Sequence, residues 1–383
     1  MRVALFTDTF APQINGVTMT LNRLVQYWQR QGIQFLVFAP DHGGQGVDAA
    51  EIRRVPSFPF PLYPECRIPL SGYAGIEREL LVFKPDLLHL VTPFTLGLIG
   101  HRFGQRHNVP MVASYHTNFD QYLDYYRVPF LKKMYWSYHV WFHSYCDRNY
   151  CPSTSTKVLL ERNGIKNLEI WSRGIDAGEY APELRNPRIR EKYGIGEGKM
   201  LLLYVGRVAP EKDIEVLLDS YKTLPPDVAE NVHLIVVGDG PLMPKIASDK
   251  SGITFTGYLR GRELAEIYAS CDLFVFPSGT ETFGNVVLEA MASGLPVVGV
   301  EAGGVTDIIT HMKNGVLCPA RSVEGFRDGI SMLVRNEDLR LQMARSARIN
   351  AVKRDWDSIF TELTKSYRSV IEQSVCTGRS VGF

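Results

Sequence analysis

The sequence lacks most of the signals that would take it out of the ordinary class of soluble globular chains. Its six cysteines (Cys66, Cys146, Cys151, Cys271, Cys318 and Cys376) are scattered and form no C-x-x-C pair. No zinc site is therefore expected. No apolar run is long enough to span a bilayer. The amino terminus, MRVALFTDTF, meets Asp8 after one short apolar run and reads poorly as a signal peptide. A cytoplasmic chain with reduced thiols is the expectation. A net charge of +1 sets up no global field that would recruit nucleic acid. Solenoid repeats, low-complexity tracts, H-E-x-x-H, G-x-S-x-G, a P-loop and the full G-x-G-x-x-G run are all missing.

What is present is an alternation of strand and helix. Val3–Phe6, Gln34–Phe38, Leu87–Val91 and Met111–Ser114 read as short apolar strands. Between the first two, Val17, Leu21, Leu24, Val25 and Trp28 fall at helical spacing. The pattern restarts at Met200, with strands expected at Leu201–Val205, Leu234–Val237, Ile253–Thr256, Leu273–Phe276 and Val297–Val300. At 383 residues the chain holds two α/β units with parallel sheets. The break falls near Trp171–Asp176. Trp356 to about Gln373 reads as a last helix, with Ile359, Phe360, Leu363, Tyr367 and Val370 on one face.

Four segments at strand ends, and three weaker ones, can carry chemistry, because ligands of open α/β sheets bind at the carboxyl edge. Thr7–Gly16 joins the first strand to the first helix, and Gly16 allows close backbone approach. An ordinary βα turn is the competing reading. In Gly206-Arg207-Val208-Ala209-Pro210-Glu211-Lys212, two cations five apart suit a diphosphate and its departure. Solvated surface charges would look the same. In Ser278–Ala292, a helix starting near Phe283 or Gly284 offers free N–H groups to a phosphate. Glu281, before it, suits sugar hydroxyls, and Glu289, inside it, suits a ribose diol. The plainer reading makes Glu281 a helix-start acid and Glu289 part of a solvated face, although Glu289's apolar neighbours call for partners. His116, after Met111–Ser114, can hydrogen-bond a sugar or serve as a structural histidine. Gly238-Asp239-Gly240-Pro241, Gly257-Tyr258-Leu259 and Gly303-Gly304 are weaker candidates at further strand ends. Asp355-Trp356-Asp357 has D-x-D spacing but reads as acids at a helix start.

Together these segments resemble the retaining glycosyltransferases of family 4 (glycosyltransferase group 1). Glu281 and Glu289 match the E-x7-E motif, flanked by Thr282-Phe283-Gly284 and Gly294-Leu295-Pro296-Val297-Val298. The likeness implies a GT-B fold, two Rossmann-like domains facing across a cleft. Residues 1–172 would form the acceptor domain, with 357–383 returning to it, and 173–356 the donor domain. It implies transfer of a hexose, with retention, from a UDP- or GDP-sugar to an acceptor hydroxyl, without metal or resident cofactor. His116, Arg207, Lys212 and Glu281 would be catalytic. The donor would be held by Gly16, Arg207, Lys212, Tyr258, Leu259, Glu281, Phe283, Gly284, Asn285, Val286 and Glu289. Arg207 and Lys212 would take the diphosphate, Glu289 the ribose, and Glu281 the sugar. Asp8–Val17, Tyr115-His116-Thr117 and Arg173-Gly174-Ile175-Asp176 look like the glycolipid branch of mannosyltransferases and sulfolipid synthases. A nucleotide-sugar epimerase and a soluble small-molecule acceptor are the alternatives.

The stretch from Tyr122 to Tyr150 is crowded with aromatics, including Tyr125, Tyr126, Phe130, Trp136 and Trp141, interleaved with Arg127, Lys132, Lys133 and Arg148. It reads equally as an interfacial helix on the inner face of a membrane, an aromatic core helix or an acceptor pocket.

Overall fold

The computed structural model describes residues 1–13, 15–42, 50–60, 63–70, 72–120, 128–247, 252–379 and 382. Tyr122, Tyr125, Tyr126 and Arg127 lie outside the described residues, as does the side chain of Cys66. The chain divides into two compact units.

The first unit comprises Met1–Thr117, Pro129–Ser172 and Trp356–Phe383. Its sheet is built from β1 (Arg2–Phe6), β2 (Gln34–Pro40), β3 (Ile52–Val55), β6 (Leu87–Leu90), β7 (Met111–Ser114), β8 (Arg148–Cys151) and β9 (Leu168–Ile170). All its pairs are parallel, in the order β3-β2-β1-β6-β7-β8-β9. A separate antiparallel hairpin, β4 (Ser57–Phe60) and β5 (Tyr63–Pro69), follows β3. β1, β6 and β7 are almost wholly buried because helices cover both faces of the sheet.

The helix Trp356–Cys376 packs on this unit. Phe360, Leu363, Tyr367 and Val370, spaced as one helical face, join Trp28 and Leu24 of the helix Gly16–Arg30 in one core. The Tyr367 hydroxyl meets His89 Nδ1 at 2.7 Å, and His89 Nε2 meets Ser114 Oγ at 2.6 Å. Asp357, in the first turn, pairs with Arg30 at 2.5 Å. The acids flanking Trp356 therefore include a helix-start charge.

The second unit comprises Arg173–Asp355 together with Asn118–Val128, a segment expected in the first domain. Asn118 Nδ2 donates to the Thr280 carbonyl at 3.5 Å. The sheet contains β10 (Met200–Val205), β11 (Val232–Val237), β12 (Ile253–Gly257), β13 (Leu273–Phe276), β14 (Val297–Val300) and β15 (Gly315–Cys318). The order β12-β11-β10-β13-β14-β15 is the Rossmann order, with its switch point between β10 and β13.

Candidate donor site

The switch point of the second sheet decides which loops matter. Ligands of open α/β sheets bind beyond the strand ends at such a point, between the loops that leave β10 and β13. The β10 loop carries Arg207 and Lys212, and the β13 loop carries Glu281. Pro210–Lys212 closes as a single 3-10 turn, and Asp213 takes left-handed backbone with φ of 48°. The Tyr204 hydroxyl, rising from the buried strand, donates to the Arg207 carbonyl at 3.0 Å.

Each cation is matched to an acid. Lys212 Nζ lies 2.6 Å from Glu281 Oε1, and both side chains are largely covered. Arg207 Nη1 lies 3.6 Å from Glu211 Oε1, and Glu211 is almost wholly buried. Thr280 Oγ1 donates to the Glu211 carbonyl at 2.9 Å, stitching the two loops together. This burial sets aside the reading of Arg207 and Lys212 as solvated charges.

The helix after β13 runs Asn285–Ala292, one or two residues later than expected. Gly284 caps it with φ of 104° and has no side chain to take up the first-turn N–H groups. The first turn holds no acid, so Glu281 is not a helix-start acid. Those N–H groups and the helix dipole favour an anion. The Phe283 side chain is buried in the core, so only its backbone is available to a ligand.

Glu289 lies one helical turn from the end of this helix and is 8% exposed, which removes the solvated-face reading. Its partner is Tyr268, whose hydroxyl donates to Oε2 at 3.0 Å. Burial first, and then the neighbouring carboxylate, push the Tyr268 hydroxyl far above its ordinary pKa, so it stays a donor. Sequence reasoning missed Tyr268 and Glu211, because only packing brings Tyr268 to Glu289.

The glycines at Gly238, Gly240 and Gly304 lie against neighbouring protein backbone. A Cβ at Gly238 would sit 1.9 Å from the Gly206 carbonyl oxygen, and one at Gly240 2.3 Å from that of Val208. A Cβ at Gly304 would sit 2.4 Å from Phe283 Cα, and the Gly304 N–H donates to the Glu281 carbonyl at 2.8 Å. These turns brace the two donor loops from either side. Tyr258 is 58% exposed just past β12, with its hydroxyl 3.4 Å from the Asp239 carbonyl, while Leu259 packs on the core.

In the first unit, β1 and β6 flank the corresponding switch point. Gly16 opens the helix Gly16–Arg30, with Asn15 as the cap accepting from the Thr18 N–H at 2.9 Å. His116 follows β7, half-buried, with its ring edge-on to Trp171 at 5.5 Å between centroids. Asp8, beyond β1, accepts from the Leu96 N–H at 3.1 Å and from Thr92 Oγ1 at 2.5 Å. It thereby caps the helix Thr95–His107 from another element. Burial raises its pKa to about 6, against the lowering effect of those hydrogen bonds. Among the described residues, no group of three or more His, Cys, Asp or Glu side chains could hold a metal.

Residues 185–350 match the family model described as Glycosyl transferases group 1, and residues 14–179 that of Glycosyltransferase Family 4. The chain is 35% identical over 378 residues to a GDP-mannose-dependent alpha-mannosyltransferase of Mycobacterium tuberculosis, covering 97% of both chains. It is 28% identical over 332 residues to an alpha-monoglucosyldiacylglycerol synthase of Streptococcus pneumoniae, covering 83% of this chain and 75% of the other. Sucrose-phosphate synthase from Thermosynechococcus elongatus shares the fold, with a TM-score of 0.81 at 18% identity over 97% of this chain and 99% of that one. With a family model on each half and a relative matched along nearly its whole length, the chain belongs to the GT-B glycosyltransferases of family 4.

Proposed function

We propose that this glycosyltransferase moves a hexose, with retention, from a nucleoside-diphosphate sugar to the hydroxyl of a glycolipid acceptor. One observation carries the donor half: Arg207, Lys212 and Glu281 meet at the Rossmann switch point, with Glu289 held by Tyr268 on the adjoining helix. Arg207 and Lys212 bind the diphosphate and stabilise its charge as the sugar–phosphate bond breaks. Glu289 accepts from the ribose hydroxyls and Glu281 from those of the sugar. The backbone at Phe283 and Gly284 joins Glu281 on the sugar, and the N–H groups that open the helix at Asn285 and Val286 bind the departing phosphate. Tyr258 and Leu259 border the base through their backbone. The acceptor attacks on the face the diphosphate leaves, and a phosphate oxygen takes up its proton.

GDP-mannose is the favoured donor, because the relative matched along 97% of its length is named for it. UDP-sugars are the alternative. The positive side chains supply the leaving-group stabilisation that a metal would, which supports metal independence. The lipid acceptor is supported by the diacylglycerol synthase match and by the exposed side chains of Phe130, Met134, Trp141 and Tyr145 on and beside the helix Lys132–Ser144. No helix among the described residues is long and apolar enough to cross a membrane. The proposal places the enzyme at the inner membrane surface as a peripheral protein. The epimerase alternative finds no support in these relatives, which are named as transferases and synthases.

The test is a matrix of GDP-mannose, UDP-glucose and other UDP-sugars against diacylglycerol-based glycolipid vesicles and soluble acceptors, with and without EDTA. Product with an α-linkage from an α-linked donor, insensitive to EDTA, is expected. Product with an inverted linkage, or neither transfer nor hydrolysis of any donor, would overturn the reading. Lys212→Ala is expected to raise the barrier by about 2.7–4 kcal/mol, by analogy with deletion of an oxyanion donor.

A further inference from the structure

The two cations of the donor site are neutralised in unlike ways. Glu211, beneath Arg207, is 3% exposed at its side chain, and its backbone carbonyl is fastened to Thr280. It cannot leave. A guanidinium has five N–H groups, so Arg207 can keep Glu211 and still meet an anion. Lys212 is different. Its ammonium is in short contact, 2.6 Å, with Glu281, the carboxylate assigned to the sugar hydroxyls. Otherwise Glu281 has a long contact of 3.4 Å from the Ser278 hydroxyl. Both members of the pair stand on loops at the carboxyl edge of the sheet.

A diphosphate that reaches Lys212 must therefore approach a carboxylate already pressed against the same ammonium. Two anions then compete for one cation in a partly desolvated site, where screening is weak. A bare nucleoside diphosphate offers Glu281 nothing in return. A nucleoside-diphosphate sugar brings hydroxyl donors within reach of the carboxylate, and these replace the hydrogen bonds given up by Lys212.

We propose that Glu281 is a specificity-determining gate on Lys212, holding the ammonium until the hydroxyls of a donor sugar take the carboxylate over. The site thereby favours an intact nucleoside-diphosphate sugar over the spent nucleoside diphosphate, and product leaves once its sugar has gone. This rests on the donor reading above.

The experiment is calorimetric titration of wild type, Glu281→Gln and Glu281→Ala with GDP and GDP-mannose, and in parallel with UDP and UDP-glucose. Both variants are expected to bind the bare diphosphate about tenfold more tightly, about 1.4 kcal/mol. The sugar nucleotide is expected to gain less or to weaken, so the preference for it falls about tenfold. Bare-diphosphate affinity that is unchanged or lower in both variants overturns the gate while leaving the donor reading intact. Repeating Glu281→Gln on Lys212→Met separates a gate from bulk repulsion. The gain is expected to shrink there, and a full tenfold gain would overturn the proposal. If both Glu281 variants fail to fold by circular dichroism, Glu281 is structural and the gate is likewise overturned. If wild type binds none of the four nucleotides, the donor reading itself fails and the gate falls with it.

Discussion

The Tyr268 hydroxyl donates to Glu289 Oε2 at 3.0 Å, between two helices of the second core, with Tyr268 fully buried. A buried carboxylate that loses a donor bears an unsatisfied charge, and hydrogen bonds to charged groups are the stronger ones. Tyr268→Phe keeps the ring and its packing but removes that donor. The expected outcome is a rise in donor KM of roughly tenfold with little change in kcat, since ribose contacts differ little between ground and transition state. A kcat loss at unchanged KM would show that Glu289 acts at the reacting bond instead.

The glycine braces make a steric prediction. Gly238→Ala places a Cβ against the Gly206 carbonyl at a backbone φ of 130°, and Gly304→Ala drives one into Phe283. Each is expected to destabilise the second unit by about 1–3 kcal/mol, as overpacking does. Lower urea midpoints, with weakened nucleotide binding, would register it. Gly261→Ala, where a Cβ would meet nothing within 4 Å, serves as a control for the strain of positive φ alone.

Much of this was legible in advance for a physical reason. Strands buried on both faces, such as Leu201–Val205, spell themselves out as apolar runs, and their following loops are then fixed at the ligand edge. β8 escaped because it reads Arg-Asn-Tyr-Cys. Asn149 lies inside the protein because its amide donates to the carbonyls of His143 and Lys166, partners that no periodicity reveals. β9 is three residues long and only partly buried, so it carries too little apolar pattern to be seen. The cations of the site were visible as charges at a strand end. Glu211 lies four residues from Arg207 in the same loop, whereas Glu281 becomes the partner of Lys212 only once the two loops fold together. The glycine turns were recognised, but the backbone they approach belongs to neighbouring loops.

Acid is expected to loosen the first unit. His89, His139 and His143 are buried, and burial lowers their pKa values from 6.5 to about 3, 3 and 4. Between those values and 6.5 the unfolded chain binds protons that the folded chain refuses, so stability falls as pH drops through this window. At pH 5 each histidine contributes a loss of about 2 kcal/mol. Asp8 opposes them: with its pKa raised to about 6, the folded form holds a proton that the unfolded form has released. Three groups against one leaves a net loss. Urea midpoints at pH 7 and pH 5 would measure it, and His89→Gln should flatten the slope. A first unit equally stable at both pH values would contradict the buried, neutral state of these rings.

The exposed stripe on the helix Lys132–Ser144 bears on the acceptor. Met134, Trp141 and Tyr145 fall at i, i+7 and i+11, with Phe130 one turn before, and all four are exposed while Phe142, His139 and His143 face inward. Trp141 and Tyr145 rest against His101 at 5.1 and 5.0 Å between centroids, so the stripe is held rigid from beneath. Exposed aromatic rings beside Lys133 suit the interfacial zone of an anionic bilayer, where an indole has an apolar body and a polar edge. Phe130→Ser with Trp141→Ser is expected to reduce cosedimentation with anionic vesicles and to lower turnover on a glycolipid in vesicles. Transfer to the same headgroup on a short, soluble chain should persist, because the donor-site residues are untouched. Vesicle binding that survives both substitutions would assign the stripe to something other than the lipid surface, and equal losses on both acceptors would make it part of the acceptor pocket.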